Sequence, residues 1–148
     1  VKQAVDKHNG FSSSLGDDPS SHYRAIGVGA EYAFAKAFDL PFNDSIQLQG
    51  DGGHDFTLPD GTTMQIKCRG KRGQDLMIMR DMSDFKSDLC VLVWPITAQN
   101  GVVTGFEVMG YVTRQDFMKR AVKREFRGGR KRLLMRALEM NRIEELGL

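Results

Sequence analysis

Residues 50–69 read GDGGHDFTLPDGTTMQIKCR, and the rest of the chain is organised around this stretch. It predicts two short strands joined by a turn at residues 58–62, because the proline of the turn presets φ and its glycine accepts a positive φ. Folding the chain about that turn brings Asp55 opposite Gln65 or Ile66.

The second strand of this hairpin has two chemically different faces. Side chains alternate with period 2, so Met64, Ile66 and Cys68 point one way, and Gln65 and Lys67 point the other. The hairpin therefore predicts one face that packs into a core. The other face carries a carboxylate, an amide and an ammonium side by side.

Length and composition predict one soluble domain. The 148 residues can bury a core without disulfides or a structural metal. Cys68 and Cys90 lie in apolar runs without a CxxC partner, which favours buried thiols in a reducing compartment over a disulfide or zinc site. No run approaches the roughly 18 apolar residues of a membrane span, and the N-terminus lacks a signal-peptide pattern. We expect a cytoplasmic protein without membrane contact.

The charge of the chain is unevenly distributed. The net charge is +2, but residues 119–136 hold nine basic residues and one acid, a local +8 that leaves −6 on the remainder. A basic segment beside an acidic body indicates a polyanionic partner.

The first part of the chain predicts a loop-rich arm followed by a helix. Residues 1–24 are polar and interrupted by glycine, serine and proline, apart from a short helical stretch. Residues 21–38 have helical spacing, and Glu31 shares an apolar stripe with Phe34 and Phe38. Two interpretations of this acid remain open: it reaches solvent at the edge of the stripe, or it is held beneath the hairpin face for a cation.

The segment that leads into the hairpin carries a glycine cluster. Residues 45–49 alternate like the start of the first strand, and three glycines then interrupt it at positions 50, 52 and 53. Such a cluster indicates a bulge or a close approach of backbone to another group, including a phosphate. Asp51 is either a further ligand or a cap of its own turn.

The segment after the hairpin continues with a basic loop and an ambiguous stretch. Lys71 and Arg72 lie on a glycine-flanked loop that is either solvated or in contact with phosphate. Residues 76–85 fit a helix or a strand, and their methionines are expected to fill the core.

Two further strands are predicted after this stretch. Residues 89–96 form a continuous apolar run typical of a strand covered on both faces, with Trp94 in the core. The pair Asn100-Gly101 predicts a hairpin, and residues 102–112 supply the returning strand.

The C-terminal third is predicted to be helical. Thr113 and Asp116 form a capping-box pattern that predicts a helix through about Phe126. Gly128 and Gly129 break it, and residues 130–146 predict a second helix with an apolar face. We therefore expect basic C-terminal helices packed on the core over residues 113–148.

The polar residues of helix and hairpin together suit a hard cation. Oxygen donors from Glu31, Asp55 and Gln65, with the backbone carbonyl of Ile66, are ligands that Mg²⁺ or Mn²⁺ prefers. Lys67 would lie beside the metal, where its amine could orient an attacking water or stabilise the extra negative charge on phosphorus. The combination describes metal-assisted phosphodiester hydrolysis.

These residues resemble a known family. Asp55, nine intervening residues and then Gln65-Ile66-Lys67, preceded by a helix bearing Glu31, are similar to the PD-(D/E)xK nuclease superfamily. The glycine-rich lead GDGGHD with QxK is similar to its Mrr-like branch, in which glutamine replaces the second acid, and the tail over residues 106–117 resembles small phage and mobile-element members. The resemblance covers roughly residues 27–112. Gln65 carries no negative charge, and the literal Pro-Asp pair belongs to the turn.

The resemblance implies an α/β fold with a restriction-endonuclease-like mixed β-sheet and flanking helices. It also implies a Mg²⁺- or Mn²⁺-dependent nuclease, acting on DNA in a bacterial or phage-infected cell. By that likeness, Glu31, Asp55 and Gln65 coordinate metal with the carbonyl of Ile66, and Lys67 is the catalytic lysine. A homodimer with two sites would account for cutting of both strands.

Nucleic-acid contacts are expected from basic residues near the hairpin and in the C-terminal segment. They are Arg69, Lys71, Arg72, Lys123, Arg124, Arg127, Arg130, Lys131 and Arg132. Two other classes of function remain open. One is a nucleic-acid-binding protein on an inactive nuclease-like fold, and the other is an α/β interaction module whose basic segment is only solvated.

Overall fold

The computed structural model describes residues 2–4, 19–42 and 54–148. Two helices and eight strands occur within these ranges. In chain order the elements are β1 Lys2–Ala4, α1 Pro19–Phe38, β2 Phe56–Thr57, β3 Thr63–Cys68, β4 Leu76–Met79, β5 Leu89–Thr97, β6 Val103–Thr113, α2 Arg114–Arg120, β7 Val122–Glu125 and β8 Lys131–Met135. Short 3-10 turns at Ala137–Glu139 and Ile143–Leu146 complete the chain.

The first sheet has five strands in the order β1-β6-β5-β3-β2. β3 and β5 are parallel, and the other neighbours are antiparallel. The predicted helix, the predicted apolar strand and its predicted return are confirmed as α1, β5 and β6. The molecule is therefore α/β with a mixed sheet.

β5 forms the centre of the molecule because its alternating side chains enter two different cores. Leu89, Val91 and Val93 belong to a core that includes Phe34 of α1. Cys90 and Leu92 belong to a second core on the opposite face of the sheet. A strand covered on both faces was predicted from the apolar run, and its first five residues are buried.

The second core is closed by a separate antiparallel sheet with the strand order β4-β8-β7. Leu76 and Ile78 of β4 and Met135 of β8 are buried in it, together with Phe85 and Phe117. The stretch 76–85, which fitted either a helix or a strand, therefore begins as a strand. Of its methionines, Met82 is buried, Met77 half-buried and Met79 exposed, and Trp94 is half-buried at the border of this core.

The predicted C-terminal helices are wrong over most of their length. Thr113 caps a helix as expected, since its side chain accepts a hydrogen bond from the backbone of Asp116, but α2 ends at Arg120. β7 follows it, and β8 replaces the second helix. The glycine pair 128–129 lies in the connection between these strands, where both residues have positive φ.

Gly110 of β6 permits a close approach of the C-terminal segment. Tyr111 exchanges two backbone hydrogen bonds with Asn141. A Cβ atom on Gly110 would lie 2.6 Å from the Asn141 oxygen, and φ is +159° there.

Gly110→Ala should therefore destabilise the protein by about 2–4 kcal/mol through overpacking and backbone strain. Gly61→Ala is the matched control, because φ is +89° there and no atom lies within 4 Å of the added Cβ. We expect the control to cost about 1–2 kcal/mol by urea unfolding. An equal loss in both variants would contradict the close approach.

Part of the N-terminal expectations lies outside the described residues. The arm is not loop throughout, since β1 pairs with β6 and α1 begins at Pro19. Residues 5–18 and 43–53, with the predicted strand start, the glycine cluster and Asp51, are outside the described ranges.

Candidate active site

The predicted hairpin is confirmed, and it places Asp55 beside Gln65. β2 and β3 are antiparallel, with Phe56 opposite Met64. The turn is closed by two backbone hydrogen bonds, from the Leu58 N–H to the Thr62 carbonyl and from the Gly61 N–H to the Leu58 carbonyl, and Gly61 has a φ of +89°. Met64 and Ile66 enter the core beneath α1, as their alternation predicted.

Asp55 is fixed at the edge of β3. Its backbone N–H donates to the Met64 carbonyl at 2.9 Å. Its carboxylate Oδ2 accepts the backbone N–H of Ile66 at 2.6 Å. Because the carboxylate binds a strand amide, its position is set by the sheet and not by a mobile loop.

Gln65 holds the loop that precedes β5. The side chain is buried, and its Nε2 donates to the Asp84 carbonyl at 2.7 Å. Its Oε1 accepts the backbone N–H groups of Lys86 and Ser87 at 3.1 and 3.3 Å. An amide oxygen has two lone pairs, so this oxygen would have to release a hydrogen bond to ligate a cation.

Lys67 forms an ion pair with an acid that the sequence did not single out. Its Nζ lies 3.6 Å from Oδ2 of Asp84, and about a third or less of each side chain is exposed. The other carboxylate oxygen, Oδ1, accepts the backbone N–H of Met79 at 2.9 Å. Asp84 is thus anchored to β4 while it faces the lysine.

The predicted site residues line one cavity of about 270 Å³. Gln65 and Lys67 project from the sheet face opposite α1, yet Glu31 of α1 reaches the same cavity at the sheet edge. Among the described residues, the lining consists of Glu31, Asp55, Gln65, Ile66, Lys67, Ser83, Asp84 and Lys86. The four predicted catalytic residues therefore come together from α1 and the hairpin.

Three residues of the cavity were missed by sequence reasoning. Ser83, Asp84 and Lys86 lie between β4 and β5, about twenty residues after Gln65 in the chain. The only local signal is a polar stretch between two apolar strands, which is typical of any surface loop. Their role becomes visible only through the hydrogen bonds that Gln65 makes to this loop.

The oxygen donors of the cavity fit a hard divalent cation. The described part of the lining contains the carboxylates of Glu31, Asp55 and Asp84 and the Ile66 backbone, and it contains no sulfur or imidazole. Within the described ranges, no three His, Cys, Asp or Glu side chains are arranged as a ready metal-binding group. Mg²⁺ keeps several waters and needs only one or two carboxylates, so the donor set remains suitable.

The predicted nucleic-acid residues fall into two groups, neither of which lines this cavity. Arg69 is half-buried, and desolvation lowers the pKa of its guanidinium. Lys71 and Arg72 are exposed and border a different cavity of about 460 Å³, where Arg72 pairs with Glu107 at 3.7 Å. The remaining residues lie on β7, β8 and their connection.

The two cysteines do not supply a nucleophile. Both are free, and they enter cores on opposite faces of the sheet. Burial raises the pKa of Cys68 to about 12 and raises that of Cys90 as well. Both thiols stay protonated at neutral pH, and a thiolate is required for nucleophilic attack.

Comparisons with protein-family models, curated proteins and solved structures find no match to this chain. No helix within the described ranges is both long and apolar enough to cross a membrane.

Proposed function

We propose that this protein is a Mg²⁺- or Mn²⁺-dependent nuclease that hydrolyses phosphodiester bonds, with DNA as its substrate. The observation that carries the proposal is the shared cavity of Glu31, Asp55, Gln65 and Lys67. These residues come from a helix and a hairpin that are far apart in sequence. An α/β fold does not by itself require these residue types to line the same cavity.

The chain order also supports a restriction-endonuclease-like core. A helix with an acid precedes a hairpin, and the second hairpin strand is parallel to the next strand of the same sheet. The connection between β3 and β5 differs from that pattern, because it contains β4 of the second sheet where the family has a helix. Such an enzyme would act in the cytoplasm of a bacterial or phage-infected cell.

Asp55, Glu31 and Lys67 have distinct roles in this proposal. Asp55, fixed on the Ile66 amide, and Glu31 would hold the cation. The bound cation would lower the pKa of a water and neutralise phosphate charge. The Lys67 ammonium would face the extra negative charge that develops on the phosphoryl oxygens during attack.

Asp84 would supply the negative charge that Gln65 lacks. Its carboxylate lies on the cavity beside Lys67, whereas the Gln65 amide is occupied by the backbone of residues 84–87. In this arrangement Gln65 is a positioning residue. Asp84, on the loop between β4 and β5, takes the place of the acid that glutamine replaces at position 65.

A charge-relocation experiment tests this assignment. Asp84→Asn should lower metal-dependent cleavage by about 10²-fold, because one charged group at the reaction centre is lost. Adding Gln65→Glu to that variant should restore at least a tenth of the activity and lower the Mn²⁺ concentration needed for half-maximal cleavage. Wild-type activity in Asp84→Asn would contradict the role of Asp84.

The alternative is a nucleic-acid-binding protein whose nuclease-like site is inactive, and the engaged Gln65 oxygen favours it. A cleavage panel separates the two functions: duplex DNA, a branched junction, a flap, single-stranded DNA and RNA, each with Mg²⁺ or Mn²⁺. The nuclease proposal expects metal-dependent cleavage of at least one DNA substrate, abolished by EDTA. Salt-sensitive binding without cleavage of any substrate would support the alternative. If the protein neither binds nor cleaves any of these substrates, it would be an interaction module.

A further inference from the structure

Residues 122–132 form a basic hairpin that extends beyond the rest of its sheet; it is called the basic ribbon below. β7 and β8 pair from Val122–Leu134 to Glu125–Lys131, and Phe126 donates its N–H to the Arg130 carbonyl at 2.7 Å. Pairing between β4 and β8 ends at Met79, opposite Arg132. The end of the ribbon is therefore two strands wide, and all four residues of β7 are exposed.

The fold neutralises little of the charge of the basic ribbon, although Arg132 interacts electrostatically with the Asp81 carboxylate. One acid, Glu125, accompanies six cations: Lys123, Arg124, Arg127, Arg130, Lys131 and Arg132. Arg124 lies directly opposite Arg132, an arrangement that destabilises a strand pair. Among the described residues, none of the six cations lies within ion-pair distance of a carboxylate. A polyanion that binds along both strands would relieve this repulsion.

The width of the ribbon selects one kind of polyanion. Two paired strands lie about 4.8 Å apart, and their side chains widen the unit to roughly the 12 Å of the B-DNA major groove. The minor groove of DNA is about 6 Å wide, and the major groove of A-form RNA is too narrow for side chains to enter. We propose that the basic ribbon inserts its tip, residues 126–130, into the major groove of double-stranded DNA.

The base of the ribbon includes a further cation, on the chain segment that leads from β4 to Asp84. Arg80 follows β4 and borders a cleft of about 270 Å³ with Lys123, Arg124, Lys131 and Arg132. Arg80 lies four positions before Asp84 in the chain, so their Cα atoms are at most about 14 Å apart. That distance spans about four steps along one DNA strand. A duplex held by the ribbon would thus bring a nearby phosphate within reach of the cavity.

The choice of DNA as the ligand rests on the proposed nuclease function. Binding measured without metal tests the ribbon separately from cleavage. The protein would carry Lys67→Ala and be kept in EDTA. The probes are a 20-base-pair DNA duplex, the RNA duplex of the same sequence, the DNA single strand, and a DNA duplex with bulky C5 substituents on its pyrimidines. Those substituents project into the major groove.

Arg127→Ala/Arg130→Ala is the test variant, and Arg136→Ala/Arg142→Ala is its control with the same change of charge. The control arginines are exposed and each lies near a glutamate, at 3.8 and 3.9 Å. We expect the tip variant to bind duplex DNA at least tenfold more weakly and to reduce the salt slope by about 2, since each lost phosphate contact reduces it by about 0.9. The control should change affinity less than threefold.

The Lys67→Ala protein with an intact ribbon should bind duplex DNA at least tenfold more tightly than the RNA duplex, the single strand or the C5-substituted duplex. Equal affinity for any of these three, an unchanged salt slope in the tip variant, or no binding to any probe would overturn the inference. Cleavage is measured separately, with Mn²⁺ and with Lys67 intact. Metal-dependent cleavage by a tip variant that also keeps full duplex affinity would leave the nuclease proposal standing and contradict only the role of the ribbon. Duplex binding through the tip without cleavage in any metal would do the reverse.

Discussion

Replacing Lys67 by alanine should lower metal-dependent cleavage by about 10³-fold or more, while nucleic-acid binding is retained. The ammonium lies on the cavity beside Asp84 and is about a third exposed, so its removal leaves the cores intact. Loss of a preorganised charge at a reaction centre costs two to three orders of magnitude in rate, and more where it acts directly on the reacting group. Single-turnover cleavage of labelled DNA with Mn²⁺ would measure the effect.

Lys119→Ala is the matched control for this prediction. Lys119 is an exposed lysine in the last turn of α2, away from the cavity lining. The control should cleave within threefold of the unaltered protein, and both variants should have the unaltered melting temperature within a few degrees. A Lys67→Ala protein that cleaves at the normal rate would contradict a catalytic role for the amine.

Asp55→Asn should lower cleavage by a factor similar to that expected for Lys67→Ala. It should also weaken Mn²⁺ binding by at least tenfold. Asparagine keeps an oxygen that can accept the Ile66 N–H, so the hairpin is preserved. The carboxylate charge that attracts the cation is lost, however. Isothermal titration with MnCl₂ would measure binding independently of activity.

The control for Asp55 lies on the same hairpin. The Asp60 carboxylate accepts the Thr62 N–H at 2.9 Å within the exposed turn, and these hydrogen bonds lower its pKa. Like Asp55→Asn, Asp60→Asn removes one negative charge from the hairpin. It should nevertheless leave Mn²⁺ affinity and cleavage unchanged within threefold. Equal losses in both variants would show that the substitutions act through hairpin stability and not through a metal site.

The elements predicted well from the sequence are those with strong local signals. The turn between β2 and β3 follows from proline and glycine chemistry, and the period-2 pattern set which side chains of β3 face the core. β5 was recognisable because an apolar run of this length is typical of a strand covered on both faces. In a strand with a buried face, burial determines which side chains point into the core. The core-facing residues could therefore be assigned correctly.

The C-terminal third could not be predicted because its local preference and its tertiary environment disagree. Lysine, arginine and leucine favour helices, so residues 130–146 looked helical. In the structure, Leu133 and Met135 alternate into the core opposite Ile78 and Leu76, which β4 supplies from elsewhere in the chain. Strand pairing with β4 overrides the weak propensity of the segment.

Sequence reasoning named some of the residues that line the cavity and missed others. Glu31, Asp55, Gln65 and Lys67 do share one cavity. The buried hydrogen bonds of Gln65 and the proximity of Asp84 depend on a loop that packs from another sheet, for which no residue spacing is diagnostic. The same limit explains why the basic segment was recognised by charge but its ribbon shape was not.

A crystal grown or soaked with MnCl₂, with diffraction data collected for anomalous scattering from manganese, would locate the cation directly. We expect one anomalous peak in the cavity at the edge of β3, about 2.1 Å from a carboxylate oxygen of Asp55, with Glu31 or Asp84 bound directly or through water. The peak should disappear in Asp55→Asn. An empty cavity at millimolar Mn²⁺, with the Gln65 and Lys67 contacts unchanged, would contradict a metal-dependent nuclease site at this edge.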